Sequence, residues 1–380
     1  MKQLFNILTN SYSSKRFALI AIILISLFGI FHTSAWFLYT NKLLSNSNSN
    51  HIGDLVRITC ETNSAHPRKV INTLNKRHLE AYEWDGNTID ILTIGDSFSN
   101  GGGNGKNRFY QDYIATIYNK KILNIAPPNT QINHIEMIIA LYNNGMLDKL
   151  KPKIIILESV ERFIVHKFAK DINWNYNIEK KDFLLMMNKS IYGKHRMEQD
   201  TKISKKTSLN ISIINKRNYD CMLNPLYYKY SKRSLDRNNL VYKAELTQDM
   251  FSVKDKSSLL FIKESIDFIK YNSSENLNLV NDNLNKLSLI LKNKNITLLF
   301  LPISDKYDLY SSYIKSNNFP KNYFFKDFAN LNKKYIYIDT KKILLPIINS
   351  KKDVYFADDT HWSKIASKEV VLNLPIKSIY

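Results

Sequence analysis

The sequence predicts an α/β fold, a parallel sheet with helices on both faces, joined to one N-terminal membrane helix. Three observations carry this. Apolar runs of strand length alternate with longer amphipathic segments along residues 86–380, the pattern of a parallel sheet covered on both sides. Residues 17–39 form one nearly charge-free apolar stretch. At 380 residues the chain is long enough for one large domain or two smaller ones with real cores.

The first element is the apolar stretch Phe17–Tyr39. At about 1.5 Å per residue it crosses the roughly 30 Å hydrocarbon core of a bilayer with little tilt. Lys2, Lys15 and Arg16 precede it and Lys42 is the one charge shortly after it. The positive-inside rule therefore puts residues 1–16 in the cytoplasm and everything after about residue 42 outside it. The expected location is the inner (cytoplasmic) membrane, single-pass, with the following domain periplasmic or extracellular. Trp36 and Tyr39 fall at the far interface. A cleaved signal peptide ending at Thr33-Ser-Ala35 is the competing reading; the apolar run exceeds the 7–15 residues usual for such a segment.

Residues 40–85 read as a linker and approach segment, with a polar linker at 45–50 and a basic, partly helical stretch at 51–85. The domain, 86–380, then opens on the buried strand 89–95. A helix near 107–118, strand 121–126, helix 130–144 and strand 153–158 follow. Lysine-rich, weakly patterned sequence at about 166–255 interrupts the alternation and reads as an insertion, a cap over a site or a decorative loop. Alternation resumes with a helix near 274–293, strand 296–301, helix near 322–331, strand 334–339 and a last helix capped by Ser363.

The formal charge of +20 invites a nucleic-acid reading. The lysines are scattered through a chain rich in Asn, Ile and Tyr, with no basic stripe and no nucleic-acid motif, so no nucleic-acid partner is expected. A general attraction to anionic polysaccharide or lipid headgroups remains. Cys60 and Cys221, the two cysteines, fit an oxidising compartment in which they could pair. No Cys/His cluster has metal-ligand spacing, and no metal or other cofactor is expected.

Two short stretches carry chemistry: Ile91-Leu-Thr-Ile-Gly-Asp-Ser97 and Asp358-Asp-Thr-His-Trp362. Ser97 stands where a strand ends and a glycine-rich turn begins. A serine hydroxyl becomes a nucleophile when an imidazole takes its proton, and a carboxylate fixes that imidazole's tautomer and stabilises its cation. His361 with Asp359 or Asp358 supplies both, and the spacing leaves the choice of aspartate open. His361 falls in a loop before a helix, at the carboxyl edge where open α/β sheets place their sites. Asp96 reads as holding the turn through backbone hydrogen bonds.

These residues resemble the SGNH/GDSL hydrolase superfamily, whose first block is Gly-Asp-Ser after the first strand and whose last is Asp-x-x-His. Gly95-Asp96-Ser97 and Asp358-x-x-His361 match both. A closer resemblance is to the alginate O-acetyltransferase-like branch, through Asp359-Thr-His361-Trp362, Glu158-Ser-Val-Glu161-Arg162, and Pro302-x-x-x-Lys306 with downstream Tyr310. The resemblance spans roughly residues 85–375 in four islands. It implies a three-layer α/β/α, flavodoxin-like SGNH fold with Ser97 as nucleophile, His361 as base, and Asp359 favoured over Asp358 because Thr-His-Trp continues the match.

The departures from that pattern concern the oxyanion hole. The second-strand glycine block is replaced by Asn124-Ile-Ala-Pro-Pro-Asn129, and Gly-x-Asn-Asp is absent. Asn100, Asn129 and Arg162 are the side-chain candidates for oxyanion donors, beside the Ser97 and Phe98 amides. Glu158 and Glu161 read as a salt-bridged unit with Arg162 rather than as an acid pair. Lys306 and Tyr310 read as cleft-lining or as surface residues on a helix, and Trp362 as packing or as a sugar-stacking face.

The function this implies is a membrane-anchored exported O-acyltransferase, an O-acetyltransferase first of all. Its acceptor would be a polysaccharide or oligosaccharide, and its donor would come from a polytopic membrane acyltransferase. A glycan esterase and a non-catalytic polysaccharide-binding member of an export complex are the alternatives.

Overall fold

The computed structural model describes residues 2–40, 43, 52–66, 74–100, 109–127, 132–179, 181, 183, 213–231, 236, 238–315 and 318–380, the side chains of 2–13 and 231 excepted. The polar linker at 45–50, the glycine-rich turn after Asn100 and all of 184–212 lie outside these residues.

The chain begins with the helix Lys2–Ala35, which continues into a single π turn, Trp36–Thr40. Its segment Ser14–Thr40 is the one helix among the described residues long and apolar enough to cross a membrane. Phe17, Leu19, Ile22, Leu24 and Ile25 leave most of their surface uncovered by the rest of the protein.

Eight strands are described: β1 (Leu79–Glu80), β2 (Ile91–Ile94), β3 (Ile122–Asn124), β4 (Ile154–Val160), β5 (Val241–Glu245), β6 (Ser258–Ile262), β7 (Thr297–Ile303) and β8 (Ile336–Tyr337). Six form one sheet in the order β1-β3-β2-β4-β7-β8, and every pair in it is parallel. The Ile- and Leu-rich composition of β2, β4 and β7 suits strands covered on both faces. Successive residues divide between two core clusters. Ile91, Ile154, Ile156, Leu299 and Leu301 belong to one, and Leu92, Ile94, Ile155, Leu157, Leu298 and Phe300 to the other. The helix Ser274–Lys292 closes the second side with Leu277, Val280, Leu284, Leu287 and Leu291 at helical spacing. The helices Thr340–Ser350 and Lys364–Leu372 close the first with Leu344, Ile348, Val370 and Val371. Ser363 caps the latter, its Oγ accepting from the Ile365 amide at 3.1 Å.

The strand order creates the site. From β2 the chain runs outward to β3, then returns past β2 to pair β4 on its other side. The connections leaving β2 and β4 therefore diverge at their carboxyl ends, and such a reversal opens a crevice there. Ser97 follows β2 and Glu161–Arg162 follow β4.

The segment expected as an insertion at 166–255 is largely structured where it is described. It contains the helix Lys216–Ser231 and the strand β5, which pairs antiparallel with β6 beyond the expected boundary. Together with the short helix Asp54–Thr59 these build a third small core from Leu55, Val56, Cys60, Cys221, Val241 and Leu260. Cys60 and Cys221 are joined by a disulfide across 161 residues. This segment braces the approach segment. The helix Thr340–Ser350 and the edge strand β1 stand outside the expected alternation, and Lys306 and Tyr310 lie on a short helix of their own, Lys306–Tyr310.

Candidate active site

β2 ends at Ile94, and the turn that follows is built around Gly95. A Cβ there would lie 2.2 Å from Glu158 Oε2 and 2.4 Å from Ser99 Oγ, so only glycine admits this close approach. Glu158, on β4, accepts from the Asp96 amide at 3.0 Å, the Ser99 amide at 3.1 Å and the Ser99 hydroxyl at 2.7 Å. Burial first, and then the charge of Asp96, push the Glu158 carboxyl well above the usual range, so it stays neutral beneath the turn. Asp96 behaves oppositely. Burial works against its charge, but Lys167 at 3.3 Å and the Val160 amide at 2.7 Å outweigh it and hold the carboxylate below its ordinary pKa. Asp96 also accepts from the Phe98 amide at 3.2 Å. One neutral and one ionised carboxyl thus fix the turn, and Ser97 is the residue it leaves exposed.

The other half comes from the loop before the helix Lys364–Leu372. His361 Nε2 lies 2.7 Å from Ser97 Oγ, and His361 Nδ1 lies 2.6 Å from Asp359 Oδ1. The His361 amide donates to the same carboxylate oxygen at 3.0 Å. Burial disfavours the imidazolium, yet the charge and hydrogen bond of Asp359 prevail and raise the His361 pKa above its ordinary value. Asp358 points elsewhere. Its Oδ2 accepts from the Gly53 amide at 2.8 Å and the His66 amide at 3.1 Å, and its carbonyl accepts from the Leu55 amide at 3.1 Å. Of the two aspartates that spacing left open, Asp359 orients the histidine and Asp358 ties the loop to the approach segment.

Lys306 is buried with its ammonium inside this loop, donating to the carbonyls of Phe356 at 2.8 Å, Ala357 at 2.9 Å and Asp359 at 3.1 Å. Three donors meet three carbonyls. Burial lowers its pKa to about 8 despite the nearby aspartates. Tyr310 is also buried, its hydroxyl accepting from the Tyr355 amide at 3.3 Å. Neither is a surface residue.

The remaining candidates separate clearly. Trp362 is fully buried, edge-on to Phe98 with ring centroids 5.2 Å apart; a wholly buried indole offers no face to a sugar, so its role is packing. The Asn100 side chain donates through Nδ2 to the Gly95 carbonyl at 2.8 Å while its Oδ1 accepts from Asn124 Nδ2 at 2.9 Å, which engages it in holding the turn. Asn129 lies outside the described residues. Arg162 pairs with Asp305 at 2.6 Å, not with Glu158 or Glu161 as expected. Glu161 instead accepts from the Asp305 amide at 2.9 Å. The reason is topological: β4 pairs β7 in register through Val160 and Ile303, which sets Asp305 beside Arg162. The Arg162 charge still reaches His361, opposing its protonation, and its Nε is buried without a partner.

No motif or spacing points to Asp54. Its carboxylate accepts from the Thr360 amide at 2.9 Å and the Thr360 hydroxyl at 2.6 Å, and burial and then Asp359 raise its pKa. Asp54, Asp359 and His361 each bring a potential ligand atom within 4.8 Å of the others. Those atoms already have hydrogen-bond partners, Thr360 for Asp54 and the paired Asp359 and His361 for each other, so the cluster reads as support for the histidine rather than as a metal site.

The arrangement can move a proton from Ser97 to His361 while Asp359 holds the ring and stabilises its cation. No protein-family model, curated protein or solved structure matches this chain.

Proposed function

We propose that this chain is a membrane-anchored SGNH-like serine O-acyltransferase, an acetyltransferase that modifies a cell-surface polysaccharide. The observation that carries the reading is the continuous Ser97–His361–Asp359 chain of contacts, at 2.7 and 2.6 Å, ending in an exposed serine. The sheet order β3-β2-β4-β7-β8 supports the finer fold assignment, since it follows the flavodoxin-like doubly wound order with Ser97 at its switch point. Core clusters on both faces of that sheet support three layers.

In this reading His361 Nε2 takes the Ser97 proton as Oγ bonds to the acyl carbon of the donor. His361 then returns the proton to the departing donor group, leaving an acyl-serine. A sugar hydroxyl gives its proton to His361 and attacks the acyl carbon, and Ser97 Oγ leaves and is reprotonated. The backbone amide of Ser97 is the first candidate to face the developing oxyanion. The Asp359-Thr-His361-Trp362 resemblance favours transfer. The exposure of Ser97 favours hydrolysis when no acceptor is bound, so a glycan esterase is the second reading.

The test uses the full-length chain in detergent with a chromogenic acetyl ester, with and without oligosaccharide acceptors, beside Ser97→Ala. The wild type should form an acetyl-serine detectable by mass, with turnover that acceptors accelerate, and Ser97→Ala should lose about 10,000-fold or more. Turnover equal in both proteins would refute a serine mechanism, and turnover indifferent to acceptors would favour the esterase.

A further inference from the structure

The helix Lys216–Ser231 is two-sided in an unusual sense. One side buries Asn218, Cys221 and Asn224 against the approach segment and the N-terminal helix. The other exposes Tyr219, Leu223, Leu226, Tyr227 and Tyr230, with Tyr230 83% and Leu226 57% accessible. At 3.6 residues per turn these five fall within an arc of about 100° opposite the buried side. An outward apolar stripe of this kind requires an apolar surrounding.

Its position identifies that surrounding. Asn218 donates to His32 Nδ1 at 2.9 Å and accepts from the Thr40 hydroxyl at 2.6 Å, and Tyr219 packs on Phe31 with ring centroids 5.0 Å apart. The apolar face thus continues the uncovered apolar surface of the N-terminal helix, where Phe28, Ile30, Phe37 and Leu38 are exposed. The span Ser14–Thr40 has 27 residues, about 40 Å of helix against a hydrocarbon core of roughly 30 Å. Its last two turns therefore extend to headgroup depth, and Lys216–Ser231 contacts this end of the helix from Phe31 to Thr40.

The charges at this place suit a headgroup. Arg217 Nε and Nη2 are buried without a hydrogen-bond partner. Burial, and then the neighbouring charge of Arg57, lower the Arg217 pKa, with Asp220 partly compensating. A guanidinium with two unspent donors, in the electrostatic field of a second arginine, Arg57, is an arrangement suited to a phosphate.

We propose that Lys216–Ser231 lies on the bilayer leaflet from which the N-terminal helix emerges, its apolar stripe at the acyl boundary and Arg57 with Arg217 on the phosphate of an anionic phospholipid. This rests on the N-terminal helix crossing a membrane and is independent of the proposed chemistry. The helix then fixes the height of the domain above the bilayer.

The test places an environment-sensitive fluorophore on Leu226→Cys in the full chain, the native cysteines remaining in their disulfide. The labelled protein is reconstituted into phosphatidylcholine vesicles with and without phosphatidylglycerol. A second label at Leu372→Cys, also exposed, reports a site at the end of the helix Lys364–Leu372. Emission at 226 should shift to the blue and be quenched by lipids carrying a nitroxide high in the acyl chain, more strongly with phosphatidylglycerol, while 372 reports water. Arg57→Gln with Arg217→Gln should remove the phosphatidylglycerol dependence. Equal water exposure at 226 and 372 in both vesicles would overturn the proposal. So would a blue shift in detergent that grows with protein concentration, which would mean a second copy covers the stripe. A phosphatidylglycerol dependence that survives the double substitution would overturn the phosphate assignment.

Discussion

The turn that carries Ser97 and the loop that carries His361 meet across 2.7 Å, yet they are held by different parts of the molecule. The turn grows out of the sheet: Gly95 follows β2, and Glu158 on the adjacent strand β4 gathers three of its donors. Among the described residues the loop rests on no strand and is closed by the antiparallel bridge Tyr355–Trp362. It is held from inside by Lys306 and from outside by the approach segment, through Gly53, Asp54, Leu55 and His66. The nucleophile is therefore tied to the central sheet, whereas the base depends on polar contacts that sequence separation makes costly to assemble. The disulfide Cys60–Cys221 offsets part of that cost by fastening the approach segment to the helix Lys216–Ser231.

The largest expected effect comes from breaking the loop half at its end. Asp359→Asn should lower turnover about 10,000-fold, the size seen when a triad carboxylate loses its charge. Its sign in pH is fixed by the raised His361 pKa. Wild-type activity needs neutral His361 and so rises with pH through a value above histidine's ordinary pKa. Without the Asp359 charge the cation is less stable, so the acid limb of kcat/KM should move to lower pH. An unmoved limb would mean that another group sets it.

Lys306→Met should cost about 100-fold, through misplacement of the base rather than loss of a reacting group. The Lys306 ammonium, with its pKa lowered to about 8, gives up a proton and one of three carbonyl bonds as pH rises through that value. Wild-type activity should therefore fall above about pH 8, and the variant should lack this fall. Unfolding does not explain it. A lysine with a lowered folded pKa makes folding more favourable, not less, as pH rises from about 8 toward 10.5.

The smallest effect is expected on the sheet side. Glu158 is neutral, so Glu158→Gln keeps its shape and charge and should change stability at acid pH by no more than about 1 kcal/mol. A carboxyl with a raised folded pKa loses stability as pH climbs from its ordinary value of 4.5. The variant should therefore gain on the wild type over that window in a denaturant titration. A large loss instead would show that the turn needs an ionised Glu158.

The sequence by itself determined what is local. The Ile- and Leu-rich runs dictated a parallel α/β sheet, residues 17–39 an apolar helix of membrane-spanning length, and Ser363 a helix start, because each depends on neighbours within a few residues. It also brought Ser97 and His361 forward as candidates, from the residue types that serine chemistry requires. Spacing left Asp358 and Asp359 open and the resemblance leaned to Asp359; the tertiary structure pairs Asp359 with His361, since positions two and three before His361 differ in direction and not in composition. It alone assigned Glu158 to the nucleophile turn, Arg162 to Asp305, and Asp54 to a loop 306 residues away. Those contacts follow from strand order and from a disulfide across 161 residues. Spacing along a chain records which residues share a turn or a face, but which distant segments meet is settled by how the whole core packs.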